Sequence, residues 1–287
     1  MLACVKIYNG FVCAINFVEG GDAMKLNVAG ITYTHSRDER ASSKLKVSHC
    51  HDEYEILFVV EGRGKYIVEG AHFNLRPRTL ILIRPFQHHC VEIDPDTAYE
   101  RFVIHFERSA LMREVLDTLD EIADDSGDDS GSFYSPDAVS QGVFSAFERF
   151  REQQRVAESD KTVYTRLLLS ELIMLLSSSR KVPIAHNDEE LGAKVVRFIN
   201  EHIEENISLD DVAKRFFISK FYLCRSFKRY SGVSVHAYIT QKRVLYAKQL
   251  IEAGETASGA AYKVGFGDYS AFYRAYVKQI GKTPTSK

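Results

Sequence analysis

Ser219-Lys-Phe-Tyr-Leu-Cys-Arg-Ser-Phe-Lys-Arg-Tyr-Ser-Gly232 is echoed by Asp268-Tyr-Ser-Ala-Phe-Tyr-Arg-Ala-Tyr-Val-Lys-Gln-Ile-Gly281. Leu223, Arg225, Phe227 and Gly232 map onto Phe272, Arg274, Tyr276 and Gly281 at one offset of 49 residues. Self-similarity at a fixed offset signals two copies of one supersecondary unit. Leu223, Phe227 and Tyr230 recur at helical spacing in the first copy, as do Phe272 and Tyr276 in the second, giving each helix an apolar inner face. The opposite faces carry Phe221, Cys224, Arg225 and Lys228, then Tyr269, Ser270, Tyr273 and Arg274. Aromatic rings beside arginine suit a DNA major groove, where a guanidinium pairs with guanine and an apolar group touches a thymine methyl. Lys228, Ser231, Lys278 and Lys282 are expected to contact phosphates, which positions the protein without specifying sequence.

Ser208 is a good N-cap for Leu209-Asp-Asp-Val-Ala-Lys-Arg-Phe216, with acids at the helix start, and Ser219 caps the next helix. Together they make a helix-turn-helix. A further helix from Val235 to Ile251, ended by Gly254, joins the two copies. A rigid joiner holds the two recognition helices at a fixed separation, suited to successive major-groove segments about one helical turn apart. The two outward faces differ, so one subunit is expected to read two unlike elements rather than a palindrome.

Charge agrees with this reading. The net charge of the 287 residues is only −2. From Lys214 onward, however, there are 14 Lys/Arg against 3 Asp/Glu, a net of +11, and the preceding part carries −13. A basic end on an acidic body points to a polyanionic partner. The length suits about two domains. Cys4, Cys13, Cys50, Cys90 and Cys224 form no CxxC pair and read as reduced thiols. No apolar run reaches the roughly 18 residues of a membrane span, and the N-terminus lacks a signal-peptide pattern. A cytoplasmic protein is expected.

Residues 1 to about 108 read as strands. Glu55-Ile-Leu-Phe-Val-Val60 and Lys65-Tyr-Ile-Val-Glu69 flank the glycine-containing Glu61-Gly-Arg-Gly64 and predict a hairpin. Thr79-Leu-Ile-Leu-Ile83 and Tyr99-Glu-Arg-Phe-Val-Ile-His-Phe106 are further strands, and the set suggests an antiparallel barrel or sandwich. Asp117 to Asp129 carries seven acids and no base and reads as a solvated loop. Pro136-Asp137 opens a helical stretch with Val143, Phe144, Phe147 and Phe150 on one face. A helix from about Thr162 to Ser178 is apolar around much of its circumference, so more than one face must be covered, by the same subunit alone or by a partner as well. Ser177-Ser-Ser-Arg-Lys-Val-Pro183 reads as a linker, and a new helix starts near Asp188.

His49-Cys-His51-Asp-Glu-Tyr-Glu55 is the second constellation. Residues two apart on a strand share a face, so His49 and His51 point together, and Glu55 shares their parity. Pro77-Arg-Thr-Leu-Ile-Leu-Ile-Arg-Pro85-Phe-Gln-His-His89 adds another imidazole, from His89 or His88. Three imidazoles and a carboxylate suit a divalent transition metal, or they line a hydrogen-bonding effector pocket. Tyr33, Arg37, Tyr66 and Arg84 are candidate neighbours.

The C-terminal hundred residues resemble the DNA-binding domain of the AraC/XylS transcription regulators. The resemblance rests on Leu209-Asp-Asp-Val-Ala213, Tyr222-Leu-Cys-Arg-Ser-Phe-Lys228, Arg243-Val-Leu-Tyr-Ala-Lys-Gln-Leu-Ile251, Val264-Gly-Phe-Gly-Asp-Tyr-Ser-Ala-Phe-Tyr-Arg-Ala-Tyr276 and Gly281-Lys-Thr-Pro284. Tyr276-Val277 departs from the family's usual Phe-Lys. His49-x-His51-x3-Glu55-x6-Gly62 and the Pro77 to His89 stretch resemble the two cupin motifs, with Arg78 and Thr79 where Gly-Asp is usual. Sensor domains of AraC-type regulators have this barrel. The resemblance therefore implies an α+β, two-domain chain. An N-terminal double-stranded β-helix (a cupin-like effector-sensing barrel) would occupy residues 1–110. An acidic loop and coupling or dimerisation helices would occupy 111–185, and an all-α DNA-binding domain with two helix-turn-helix motifs 186–287. It implies base-facing roles for Phe221, Cys224, Arg225, Tyr269, Ser270, Tyr273 and Arg274, and effector binding by His49, His51, Glu55 and His89. The expected partners are promoter DNA, a small polar effector, a second copy of the chain and RNA polymerase, with no membrane. No catalysis and no cofactor are expected, a divalent metal in the barrel being the alternative. A metal-dependent cupin enzyme and a regulator with a vestigial barrel are the rival classes, and the attached reading head weighs against the enzyme.

Overall fold

In the computed structural model, residues 22–40, 48–123, 132–181, 191–205 and 207–285 are described. The described residues fall into two compact units, one of 22–40 with 52–181 and one of 191–285 together with the short segment Ser48–His51.

The first unit is β-rich. Strands β1 (Asp22–Val28), β2 (Ile31–Asp38), β3 (Tyr54–Glu61), β6 (Leu80–Ile83), β8 (Tyr99–Phe106) and β9 (Ser132–Tyr134) form a six-stranded sheet in the order β1-β2-β8-β3-β6-β9. Strands β4 (Gly64–Val68), β5 (Ala71–Leu75) and β7 (His89–Ile93) form a three-stranded sheet in the order β5-β4-β7. Every pairing is antiparallel. The period-2 alternation of side chains divides the large sheet into two working faces. Leu57, Val59, Ile81 and Ile83 join Tyr66, Val68, Phe73 and Ile93 in a core shared by both sheets. Ile56, Phe58, Leu80, Leu82, Phe102 and Ile104 point the other way, into a second core with the helices.

Those helices are α1 (Leu116–Ala123), α2 (Gly142–Glu152) and α3 (Glu158–Ser177). Phe147 is fully buried and stacks on Phe58 and Phe102 with ring centroids 5.3 Å from each. Helix α3 buries Leu168, Leu169, Leu172, Ile173 and Leu176, yet leaves Val163, Leu167 and Met174 exposed at 61%, 48% and 51%. Its apolar circumference is thus only partly covered by the described residues.

Three sequence expectations are corrected here. Strands β3 and β4 do not make a hairpin. β3 pairs with β6 and β8, whereas β4 pairs with β5 and β7. The chain passes from one sheet to the other through Gly62-Arg-Gly64, and a Cβ at Gly64 (φ +157°) would collide with the Glu92 carbonyl. The acidic stretch is not all loop either. Asp117 to Ala123 is helical, because Leu119, Ile122 and Ala123 bury one face and leave the acids on the other. The rest of that stretch, 124–131, lies outside the described residues. Helix α3 also begins a turn before its expected start, with Glu158 and Asp160 favourably placed at its N-terminus.

The second unit is all-helical: α4 (Leu191–Glu201), α5 (Leu209–Arg215), α6 (Lys220–Ser231), α7 (Val235–Glu252), α8 (Ala257–Lys263) and α9 (Tyr269–Ile280). Ser208 and Asp211 form a reciprocal capping box at the start of α5. Ser219, Ser234, Thr256 and Asp268 cap α6, α7, α8 and α9 through their side chains. Gly232 and Gly281 close α6 and α9 in left-handed conformation, at φ +79° and +78°. One hydrophobic core joins α4, α5, α6 and the start of α7 through Val196, Val212, Phe227 and Tyr238. A second joins the end of α7 to α8 and α9 through Ala247, Ala260, Phe272 and Tyr276.

Phe147→Ala is expected to destabilise the β-rich unit by about 3–5 kcal/mol through lost contacts and a residual cavity. Urea unfolding measures the loss, and a change under 1 kcal/mol would mean that α2 does not close this core.

Candidate nucleic-acid interface and effector site

Helix α6 turns Leu223, Phe227 and Tyr230 into its core, at 0%, 1% and 8% exposure. Phe221, Cys224, Arg225 and Lys228 are exposed on the other side. Phe221 alone is 78% exposed, although a phenyl ring gains from burial. Helix α9 repeats the division, with Phe272 and Tyr276 buried and Tyr269, Ser270, Tyr273 and Arg274 exposed. All eight residues expected to face DNA are therefore on the open faces of α6 and α9. Lys228, Lys278 and Lys282 are exposed as well. Ser231 is not a phosphate contact. It is buried, and its hydroxyl donates to the Phe227 carbonyl at 2.9 Å, locking the end of α6.

The turns before the two recognition helices share a hydrogen-bond pattern. Phe217 N–H donates to Lys214 O and Ile218 N–H to Ala213 O; Gly265 N–H donates to Tyr262 O and Phe266 N–H to Ala261 O. Phe217 and Gly265 are thus equivalent, and both are left-handed, at φ +55° and +82°. Phe217 is 95% exposed. Sequence reading at one offset missed this match, because the second turn is one residue longer.

The polar cluster of the first unit centres on Glu55, whose carboxylate points into the space between the sheets. Tyr66 Oη donates to Glu55 Oε1 at 3.0 Å, and His105 Nε2 donates to Oε2 at 3.0 Å. His89 Nε2 lies 3.4 Å from the same Oε2. His89 Nδ1 is 2.9 Å from the Gln87 carbonyl, which only accepts, so Nδ1 carries a proton. Glu55, Tyr66, His89 and His105 are all buried. Burial pushes the Tyr66 phenol well above its ordinary range, with the Glu55 charge adding to the shift, so it stays a donor. Burial likewise raises Tyr99 to about 12.

The rings of His49 and His51 stand 6.0 Å apart. One ligand atom from each of His49, His51, Glu55 and His89 falls within 4.8 Å of the others. The four expected residues are therefore brought together, and His89 rather than His88 supplies the third imidazole. His88 contributes its backbone N–H to Glu69 at 2.7 Å. Of the candidate neighbours, Tyr66 joins the cluster. Tyr33 instead stacks between Phe102 and Phe150 on the helix side of the sheet. Arg37 is engaged by Glu39, Glu61 and Glu100. Sequence reading missed His105. Its signal was parity: it shares a face with Val103 and Arg101 on β8 and lies directly across from Glu55 on β3.

Comparison with known proteins agrees with both halves. Residues 38–177 match the model of the AraC-like ligand binding domain, and residues 212–286 match that of a helix-turn-helix domain. The HTH-type transcriptional activator RhaS of Enterobacter sp. (strain 638) is 23% identical over 241 residues, which cover 82% of this chain and 85% of RhaS. The uncharacterized HTH-type transcriptional regulator YbfI of Bacillus subtilis (strain 168) is 25% identical over 230 residues, covering 78% and 80%. Among solved structures, ToxT of Vibrio cholerae aligns over 89% of this chain and 97% of its own at 15% identity, with a TM-score of 0.41. With the AraC-like ligand binding model and the helix-turn-helix model matched in turn along one sequence, and with regulators among the relatives, the chain belongs to the AraC family of DNA-binding transcription regulators.

Proposed function

We propose that this regulator binds a small polar effector, a sugar or related metabolite, in a cupin-like barrel, and reads an asymmetric promoter site through α6 and α9. The observation that carries the reading is the pair of unlike exposed faces, Phe221/Cys224/Arg225/Lys228 and Tyr269/Ser270/Tyr273/Arg274, mounted on one shared helix. For the effector, the support is the buried group around Glu55. A carboxylate, a phenol and several imidazoles set among apolar strands are costly unless hydrogen-bonded. They offer both donors and acceptors to the hydroxyls of a polar ligand. His49, His51, Glu55 and His89 are the proposed contacts, with Tyr66 and His105 orienting Glu55. Residues 1–110 would sense, 111–185 would couple and 186–287 would bind DNA. Control requires that the effector bind two states of the protein with different affinity.

RhaS is named as a transcriptional activator, and we read this chain as a cytoplasmic activator that recruits RNA polymerase at its promoter. A homodimer is part of the reading. Val163, Leu167 and Met174 form one exposed stripe along α3. Antiparallel packing of two α3 helices sets Leu167 near its own copy and Val163 against Met174, with the acidic first turn near Arg180 of the other copy.

A second reading has its own support in the grouping of His49, His51, Glu55 and His89. Three imidazoles and a carboxylate within 4.8 Å suit a divalent transition metal. These residues would hold it, and it would supply a Lewis-acidic anchor for effector oxygens.

Arg225→Ala and Arg274→Ala are each expected to cost about 1–3 kcal/mol of specific DNA binding if they pair with bases. Quantitative footprinting measures this, and wild-type affinity in both variants would remove those assignments. A thermal-shift screen of sugars, sugar acids and aromatic acids is expected to yield a stabilising compound. Glu55→Gln should weaken that compound about tenfold or more, and an unchanged shift would place the effector elsewhere. Elemental analysis of protein purified without chelator separates the metal reading, with a stoichiometric metal supporting it and none opposing it. Leu167→Glu should convert a sedimenting dimer to monomer, whereas an unaltered dimer would exclude the α3 stripe.

A further inference from the structure

Between the two helix-turn-helix units lies a buried cation with no carboxylate paired to it among the described residues. Arg243 is 8% exposed and sits on α7 where one core ends and the other begins. Val235, Tyr238 and Ile239 belong to the first core, and Val244 and Ala247 to the second. The Arg243 guanidinium donates from Nε to the Ile203 carbonyl at 2.9 Å, from Nη1 to the Gly265 carbonyl at 3.0 Å, and from Nη2 to the Glu205 carbonyl. Ile203 and Glu205 follow the C-terminus of α4, beside the first helix-turn-helix. Gly265 follows the C-terminus of α8, in the second helix-turn-helix. One side chain thus ties both units through their backbones.

The electrostatics suit a clamp. The C-terminal ends of helices carry partial negative charge, and the carbonyls that accept from this guanidinium belong to the segments that leave the ends of α4 and α8. Charge-assisted bonds of this kind are stronger than neutral ones, and the planar fork fixes direction as well as distance. The position is not cheap, since burial depresses the guanidinium's pKa. An apolar side chain of similar length would fill the space without that cost, so the donors themselves are what the junction uses. Gly265 is shaped to the same end. A Cβ there would lie 2.9 Å from both Arg243 Nη2 and the Glu204 carbonyl. The equivalent turn of the first helix-turn-helix tolerates Phe217 in the same left-handed conformation, with its side chain in the open.

We propose that Arg243 is the positioning residue that sets the separation and tilt of α6 relative to α9, and thereby the spacing between the two DNA elements the protein accepts. The inference rests on the reading of α6 and α9 as two base-reading helices. One base pair of extra spacing shifts the second element by about 3.4 Å along the duplex and by roughly 35° around it. A loosened junction would tolerate that change, and a clamped one would not.

The full-length wild type, R243M and R243K are each used to select duplexes from a randomised DNA library. Wild type is expected to enrich two unlike elements at a single separation. R243M keeps the bulk and loses every donor. It should enrich the same elements at separations spread over about two base pairs or more. It should also bind the wild-type-selected duplex about tenfold more weakly, with less than about a threefold change on a duplex carrying one element alone. R243K keeps the charge but not the fork, so it should fall between the two, and it decides the case if circular dichroism finds R243M unfolded. A single unchanged separation in the folded variants overturns the proposal, as does equal loss on one-element and two-element duplexes, the signature of a merely structural role. Enrichment of no sequence by wild type would overturn the two-element reading itself, and this inference with it.

Discussion

Helix α7 belongs to two hydrophobic cores at once, and the C-terminal unit depends on that sharing. Its first half closes the core of α4, α5 and α6, and its second half closes the core of α8 and α9. Each helix-turn-helix is too small to bury its apolar faces alone, so α7 is what allows either to fold. The same sharing gives the two recognition helices a common frame. Burial of Leu223, Phe227, Phe272 and Tyr276 fixes which side of each helix remains open, and the open side carries the residues proposed to read DNA. On the proposed reading, affinity for DNA and stability of the fold trace to one pattern of apolar spacing.

The β-rich unit uses its strands in a comparable way. Because side chains alternate, β3 serves two masters: Ile56 and Phe58 hold the helices, while Glu55, Leu57 and Val59 face the other sheet. The polar cluster lies on the inner face near one end of β3, where Glu55 meets His105 across the strand pair. Apolar residues further along the same faces supply the stability, so polar groups are tolerated at this end. On the proposed reading a ligand there meets Glu55 of β3 and His89 of β7, while Tyr66 of β4 and His105 of β8 hold the Glu55 carboxylate in place.

Much of this was legible in the sequence because the signals are local. The inner and outer faces of α6 and α9 follow from helical spacing, and the grouping of His49, His51, Glu55 and His89 follows from motif and parity. What was not legible depends on distant partners. Whether β3 and β4 pair is decided by β6, β8, β5 and β7, not by the glycines between them. The helix within Asp117–Ala123 was hidden because its few apolar residues are interleaved with acids. His105 meets Glu55 across 50 residues of sequence. Arg243 bonds to backbone carbonyls, which have no letter in a sequence. Ser231 was misjudged because its hydroxyl turns back on its own helix instead of outward.

The central claim is that one chain reads two unlike DNA elements through α6 and α9. Hydroxyl-radical footprinting of the full-length protein on a duplex it selects tests this directly. The account predicts two protected windows per bound subunit on one face of the duplex, about one helical turn apart, covering different sequences. A single window per subunit, or two windows covering the same sequence as a palindrome, would contradict it.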